Sequence, residues 1–483
     1  MSNLNIANQY LQQGKFEQAA QIFQQLIQSD NSNVNAMFGL GKAAFALNNY
    51  KRSYDLFVRC LSINSTSAAI YLALADSCIK LNLIDKAEQA FLYAYKQNNG
   101  SVSTLVAIAA FYCESGNYPL ANDYLLQLTA IEPHNINAFA LLVRIHNVAL
   151  IDSSMNDYCK HMFGLITSAD KNITNQQHVL LHYSFAELFH RAGMFDKAFT
   201  QFKLANQLQL SKINFRVQDM AEYFTSLITT FTDGKTKLSS SQHSYDKEQP
   251  TPIFIVGQPR SGSTLLEQML IAHTKVATGG ELPFFADDIA RGIRQLTGTH
   301  FPQGCPKLTA DNCRVLAQHY LQQIQSLAPN AHYIIDKMPA NYQSIGLIKQ
   351  LMPHAKVIHI SREPMAVGWS IYRNNFAAVE PYFCDLGEIK EYRGHYENVM
   401  ALWNKEIPEF IHNISYEQLL ENSEVEIKKV LDFIGLDYQA DCLDIRDNKN
   451  HIATLSDVQL RQGIDKNHKS DWQHYQSFLQ PLL

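Results

Sequence analysis

Over its first quarter the chain repeats itself every 34 residues. Phe16, Tyr50, Ile84 and Tyr118 stand one period apart, with Ala19, Ser53, Ala87 and Ala121 three residues later and Phe23, Phe57, Phe91 and Leu125 seven residues later. Gly14, Asn48, Asn82 and Gly116 each lie two residues ahead of the first set, where a turn residue separates one helix from the next. Offsets of three and seven put these side chains on one helix face. A unit of this length carrying such a face is a helix pair that cannot bury its apolar side alone and must stack on its neighbours. After Pro133 the register loosens, but Ala186, Gly193, Phe195, Ala198 and Phe202 restate it. The interval from Tyr118 to Phe195 is 77 residues, room for one enlarged unit, so five to six helix pairs are predicted up to about Leu210.

This pattern resembles the tetratricopeptide repeat, whose helix pairs build an α-helical superhelix. A different texture follows. Phe215–Phe231 reads as a connecting helix, and the stretch up to Pro250 turns polar, with Gly234 and the run Ser239, Ser240, Ser241, as in a linker. From Pro252 short apolar strands (253–256, His332–Ile335, Lys356–Ile360, Phe410–Ile414) alternate with helices (263–273, 311–327, Gln343–Leu351, Pro364–Asn374, Val425–Ile434, closed by Gly435). Such alternation predicts a three-layer α/β domain on a central parallel sheet. The expected division is repeats over 1–210, a connecting helix and linker over 211–250, and the α/β domain over 251–483.

The first predicted strand runs into Gly257-Gln258-Pro259-Arg260-Ser261-Gly262-Ser263-Thr264 and then into a helix. Small residues let backbone N–H groups approach an anion, and the helix N-terminus adds partial positive charge, so this is a P-loop-like phosphate cradle. A nucleotide triphosphatase loop needs G-x-x-x-x-G-K-S/T. Gly257 and Gly262 have that spacing, but Ser263 stands where the lysine would be, and Arg260 supplies a cation from inside the loop. The anion expected here is therefore not Mg·ATP. Charge sharpens this point: residues 1–250 hold 19 Lys and Arg against 19 Asp and Glu, and residues 251–483 hold 21 against 26. The half with the cradle is the acidic half, which argues against nucleic acid as a partner and for a few convergent cations. No apolar run reaches the length of a membrane span, and the eight cysteines show no C-x-x-C pair or zinc spacing. A cytoplasmic location with reduced thiols is the expectation.

A second segment complements the cradle. The strand from Lys356 ends at Arg362, Pro364 opens a helix, and Ser370 and Arg373 follow on it, an arrangement that can set a guanidinium and a hydroxyl around a second phosphate. Together the two segments resemble the sulfotransferase superfamily, which uses 3′-phosphoadenosine 5′-phosphosulfate (PAPS). There, a P-R-S-G-S/T-T loop grips the 5′-phosphosulfate, and an arginine with a serine eight residues on holds the 3′-phosphate. Pro259-Arg260-Ser261-Gly262-Ser263-Thr264 and Arg362 with Ser370 match that pattern. The likeness extends to Tyr416-Glu417, similar to the family's segment near the adenine, and to Trp472, Tyr475, Leu479 and Leu482 near the C-terminus.

Within the superfamily the chain is most similar to the tyrosylprotein sulfotransferase branch and its tetratricopeptide-fused relatives. The resemblance implies that Glu281, after Gly279-Gly280, is the general base, that Lys337 stands beside the leaving group, and that Ser456 is a late active-site serine. Arg260 and Lys337 would then neutralise charge on the leaving oxygen, with no metal called for. The branch's pattern is not kept at Leu282-Pro283-Phe284 or at Arg461-Gln462, near where an acceptor would sit. The resemblance implies a protein acceptor, such as tyrosine, recruited by the repeats. A small-molecule hydroxyl or amine, a catalytically weak interaction scaffold and a P-loop kinase remain as alternatives. His273, His332 and His359 read as structural, and Trp369 and Tyr372 as helix packing.

Overall fold

The computed structural model describes residues 2–81, 83–98, 100–145, 153–167, 173–211, 216–232, 249–376, 380–444 and 466–483. Phe16, Tyr50, Ile84 and Tyr118 are each the first residue of the second helix of a pair: Phe16–Ser29, Tyr50–Ile63, Ile84–Asn98 and Tyr118–Ile131. The turns before them at Gly14, Asn48 and Gly116 have left-handed backbones (φ 73°, 59° and 73°), and Asn82 lies outside the described residues. Ala19, Ala87 and Ala121 are fully buried, as are Phe23, Phe57, Phe91 and Leu125. Ser53 is the polar exception among the small residues, and its hydroxyl donates to the Gly41 carbonyl at 2.9 Å. Twelve helices are described up to Leu210.

The chain falls into two compact units divided between Gly164 and Leu165. The pair Asn175–Arg191 and Phe195–Leu210 restates the repeat pattern yet packs within the second unit. There Asn206 Nδ2 donates to the Tyr372 carbonyl at 2.9 Å, and the Tyr475 hydroxyl meets His190 Nδ1 at 2.8 Å. The predicted connecting helix is a 3₁₀ turn, Val217–Met220, followed by the helix Ala221–Thr232, and the linker 233–248 lies outside the described residues.

The second unit is built on a five-stranded, wholly parallel sheet in the order β2-β3-β1-β4-β5. The strands are β1 (Thr251–Gly257), β2 (Val276–Thr278), β3 (Tyr333–Asp336), β4 (Lys356–Ser361) and β5 (Ile411–Ser415). β1 is buried along its whole length, which explains its continuous apolar run. Ile253 and Ile255 face Leu266, Met269 and Val430 on one side, whereas Phe254 and Val256 face Tyr320 and Trp403's cluster on the other. Features not predicted include the three-residue β2, and the 21-residue helix Leu386–Glu406 that covers the second face with Tyr392, Tyr396, Val399 and Trp403.

Phe57 packs its ring against Phe38 and Gly41 of the first helix of its own pair, Val34–Ala46. Its truncation in Phe57→Ala removes a fully buried ring and should destabilise the first unit by about 3–5 kcal/mol. Denaturant unfolding followed by far-UV circular dichroism checks this, since the transition that involves the first ten helices should move to lower denaturant.

Candidate active site

Every candidate residue that is described lies at the C-terminal edge of the sheet, where open α/β sheets bind ligands. β1 ends at Gly257, where a Cβ would lie 2.4 Å from the Ile360 carbonyl of β4, so only glycine allows the strands to stay paired here. The loop then turns through Arg260, which holds a left-handed backbone (φ 68°), and Gly262 (φ 103°), before the cradle helix Ser263–Ile271. A Cβ on Gly262 would meet the Tyr416 ring at 2.3 Å. A non-glycine residue held in that conformation costs of order 1–3 kcal/mol and marks a functional loop.

The two halves of the anion site touch. Arg260 Nε donates to Ser370 Oγ at 3.0 Å, and Arg362 Nη1 donates to the Arg260 carbonyl at 3.2 Å. The Arg362 guanidinium lies 4.5 Å from the centre of the Tyr416 ring. Glu417 accepts from the Glu363 amide at 3.0 Å, tying the Tyr416 segment to the start of the Pro364 helix. Burial, with Arg362 and Arg373 nearby, brings the Arg260 guanidinium down to about 10, so positive charge converges on this loop. Ser261 is buried, and its hydroxyl has no hydrogen-bond partner among the described residues. A buried donor without an acceptor, beside a glycine cradle and two arginines, fits an anion.

The opposite side of the edge carries carboxylates. Lys337, just past β3, is 2% exposed, and its Nζ stands 2.5 Å from Glu281 Oε1 and 3.8 Å from Glu267 Oε2. Burial opposes the Lys337 ammonium, but Glu267 and Glu281 outweigh it and hold the pKa above the ordinary lysine value. Burial likewise pushes the Glu267 carboxyl up, against the pull of Lys337. The Glu281 side chain is half exposed. Ser456 lies outside the described residues, as do Arg461 and Gln462.

Glu267 escaped the sequence reading because nothing in a helix run shows that one position faces a lysine on another strand. The same holds for the partners of Arg373, which donates to Glu187 at 2.9 Å and to Asp471 from opposite ends of the second unit. Arg373 and its neighbours bring the Glu187 carboxyl down to about 2 against the effect of burial. The three histidines are structural: His273 meets the Asp437 carbonyl at 3.1 Å, His359 meets Asn413 and Tyr396, and His332 meets Thr251. Trp369 packs at 4.0 Å from the Tyr475 ring, as expected of a core side chain.

Residues 252–440 match the model of the sulfotransferase family, and residues 4–59 match that of the tetratricopeptide repeat. It is over this stretch of the α/β domain that the chain is similar to the sulfotransferase family. It is similar to an uncharacterized protein of Aquifex aeolicus (strain VF5), 31% identical over 60% of this chain and 39% of that one. It is also similar to protein-tyrosine sulfotransferase 2 of Gallus gallus, 27% identical over 41% of this chain and 54% of that one. The chain thus spans only part of the length of these relatives. Among solved structures, the sulfotransferase domain from the curacin biosynthetic pathway aligns over 46% of this chain and 90% of that one, with 18% identity and a TM-score of 0.32. Among the described residues no helix is long and apolar enough to cross a membrane.

Asp336 ends β3, one position before Lys337. Burial raises its carboxyl to about 7, while the Tyr320 hydroxyl, donating at 2.8 Å, and Asn341 hold the rise in check. The folded chain therefore holds this proton more tightly than the unfolded one, whose carboxyl titrates near 4. The stability this contributes is complete below about pH 4 and is lost as pH rises through about 7. Asp336→Asn lacks this titration, so its melting temperature should fall less across that window than the wild type's. Calorimetric melting at several pH values checks the difference.

Proposed function

We propose that the chain is a PAPS-dependent sulfotransferase acting on an acceptor hydroxyl, with protein tyrosine as the acceptor and the tetratricopeptide repeats recruiting it. One observation carries the reading: the Arg260–Ser370 and Arg362–Arg260 contacts join two separate phosphate-binding segments around the buried, unpartnered Ser261 hydroxyl. Two anionic groups far apart on one ligand fit that arrangement, as in a 3′,5′-bisphosphorylated adenosine. When bound, PAPS supplies the sulfuryl group and a bisphosphate leaving group. The amides of Gly262, Ser263 and Thr264 with Arg260 would hold its 5′ end, and Arg362 with Ser370 its 3′-phosphate. Pro259, Ser261 and Gly257 would shape the cradle, and Tyr416 would flank the adenine.

The chain's own residues then do three things. The cradle fixes the reacting centre, which removes the entropic cost of bringing two partners together. Arg260 and Lys337 neutralise the negative charge that grows on the leaving oxygen in a loose, in-line transfer. Glu281 accepts the proton of the acceptor hydroxyl. The resemblance to protein-tyrosine sulfotransferases and the repeats at the N-terminus support a protein acceptor over a small one.

Two substitutions separate these roles. Arg362→Ala should weaken binding of adenosine 3′,5′-bisphosphate by about 10–100-fold, the worth of a charge-assisted bidentate contact, as read by calorimetry. Glu281→Gln should leave that affinity within about threefold of wild type and lower turnover of labelled PAPS on a tyrosine peptide by about 100-fold or more. Full turnover in Glu281→Gln would remove Glu281 from the role of base. Magnesium-dependent ATP turnover without bisphosphate binding would instead favour a kinase-like protein.

A further inference from the structure

Lys337 is shared by two carboxylates that differ in freedom. Glu281 is half exposed and close, whereas the Glu267 side chain is almost wholly buried and stands at 3.8 Å. Glu267 is also tethered: its Oε1 accepts from the Thr278 hydroxyl at 2.6 Å. Thr278 Oγ1 in turn accepts from the Gly280 amide at 2.9 Å, and the Gly280 carbonyl accepts from the Lys337 amide at 2.9 Å. The lysine backbone, the Gly280 turn, β2 and the cradle helix are thus closed into one ring of contacts around the ammonium. Glu281 can swing away from this ring and Glu267 cannot.

Resting on the sulfotransferase reading above, we propose that Glu267 is a positioning residue: it keeps the Lys337 ammonium in place while that ammonium exchanges Glu281 for the leaving oxygen. The exchange is required because Glu281 cannot both neutralise Lys337 and take up a proton. As the acceptor oxygen bonds to sulfur and the bond from sulfur to the bridging phosphate oxygen breaks, the acceptor's proton passes to Glu281, which becomes neutral. Lys337 must remain charged at that moment, in a site with little water. Glu267 is the counter-charge that persists through the step. Besides the two glutamates, the charged group facing Lys337 is Asp336 on β3, whose Oδ2 is engaged by Tyr320.

The test measures Lys337 directly. The full chain, labelled with [ε-¹³C]lysine, is titrated by NMR without donor, and Lys337→Arg assigns the resonance. In Glu267→Gln the Lys337 midpoint should fall by about 1–3 pH units, the usual effect of removing an opposite charge within a few ångströms. The basic limb of the turnover profile should move down with it, and kcat should drop by about tenfold or more while bisphosphate affinity stays within about threefold. Glu267→Asp should restore both midpoint and limb. Where Glu267→Gln does not fold, Thr278→Val, which frees only the tether, should give a smaller shift of the same sign. An unmoved midpoint with intact bisphosphate binding overturns this inference alone. Failure of the wild type to bind the bisphosphate overturns the sulfotransferase reading of the site, and the inference with it.

Discussion

The close approach of β1 and β4 at Gly257 and Ile360 fixes where everything else in the site can stand. β1 is the central strand, paired in parallel to β3 on one side and β4 on the other. Because all strands run the same way, their C-terminal ends open on one edge: the cradle after β1, Arg362 after β4, Lys337 after β3 and the Gly279–Glu281 turn after β2. A side chain at 257 would drive β1 from the Ile360 carbonyl, and the cradle would part from Arg362. Backbone pairing, not side-chain contact, therefore sets the spacing of the two anion-binding segments.

That edge is electrically divided. On the β4 side three arginines converge, and their mutual repulsion is relieved in part by Glu187 and Asp471, which hold Arg373 from helix and C-terminal segments. On the β2 and β3 side, two carboxylates enclose one lysine. Placing this many charges out of water costs several kcal/mol per ion before pairing offsets it. An apolar core of the same volume would be the easier fold. The arrangement makes physical sense as a site for a ligand with negative charge at two points, one end of which loses a group next to the lysine.

Much of this was legible in the sequence, for reasons that can be named. The helix pairs were readable because stacking imposes one face on every unit, so Phe57 and Phe91 obey one rule. The cradle was readable because backbone approach to an anion demands glycine at 257 and 262. Contacts between distant segments left no such trace. Glu267 reads as one more polar residue of a helix, and only the fold shows it beside Lys337. β2 is too short to produce an alternating pattern, and the helix Leu386–Glu406 mixes buried tyrosines with charges closely enough to blur its period. The last repeat-like pair, Asn175–Leu210, carries the repeat pattern but packs within the second unit, a partition set by tertiary contacts such as Asn206 with Tyr372.

Under the proposed function, the acceptor's acidity decides how readily a carboxylate can serve as its base. In water a free carboxylic acid near 4.3 and a phenol near 10 are separated by about 8 kcal/mol of proton affinity. An aliphatic hydroxyl, closer to water's value of about 15.7, widens the gap by roughly as much again. Lys337 Nζ stands 2.5 Å from Glu281 Oε1, so under the proposed function the ammonium turns to the leaving oxygen before this carboxylate takes the proton. Proton transfer must therefore lag behind sulfur–oxygen bond formation, when the acceptor oxygen has already become acidic. A phenol reaches that point with the least charge build-up, which under the proposed function favours tyrosine over an aliphatic hydroxyl.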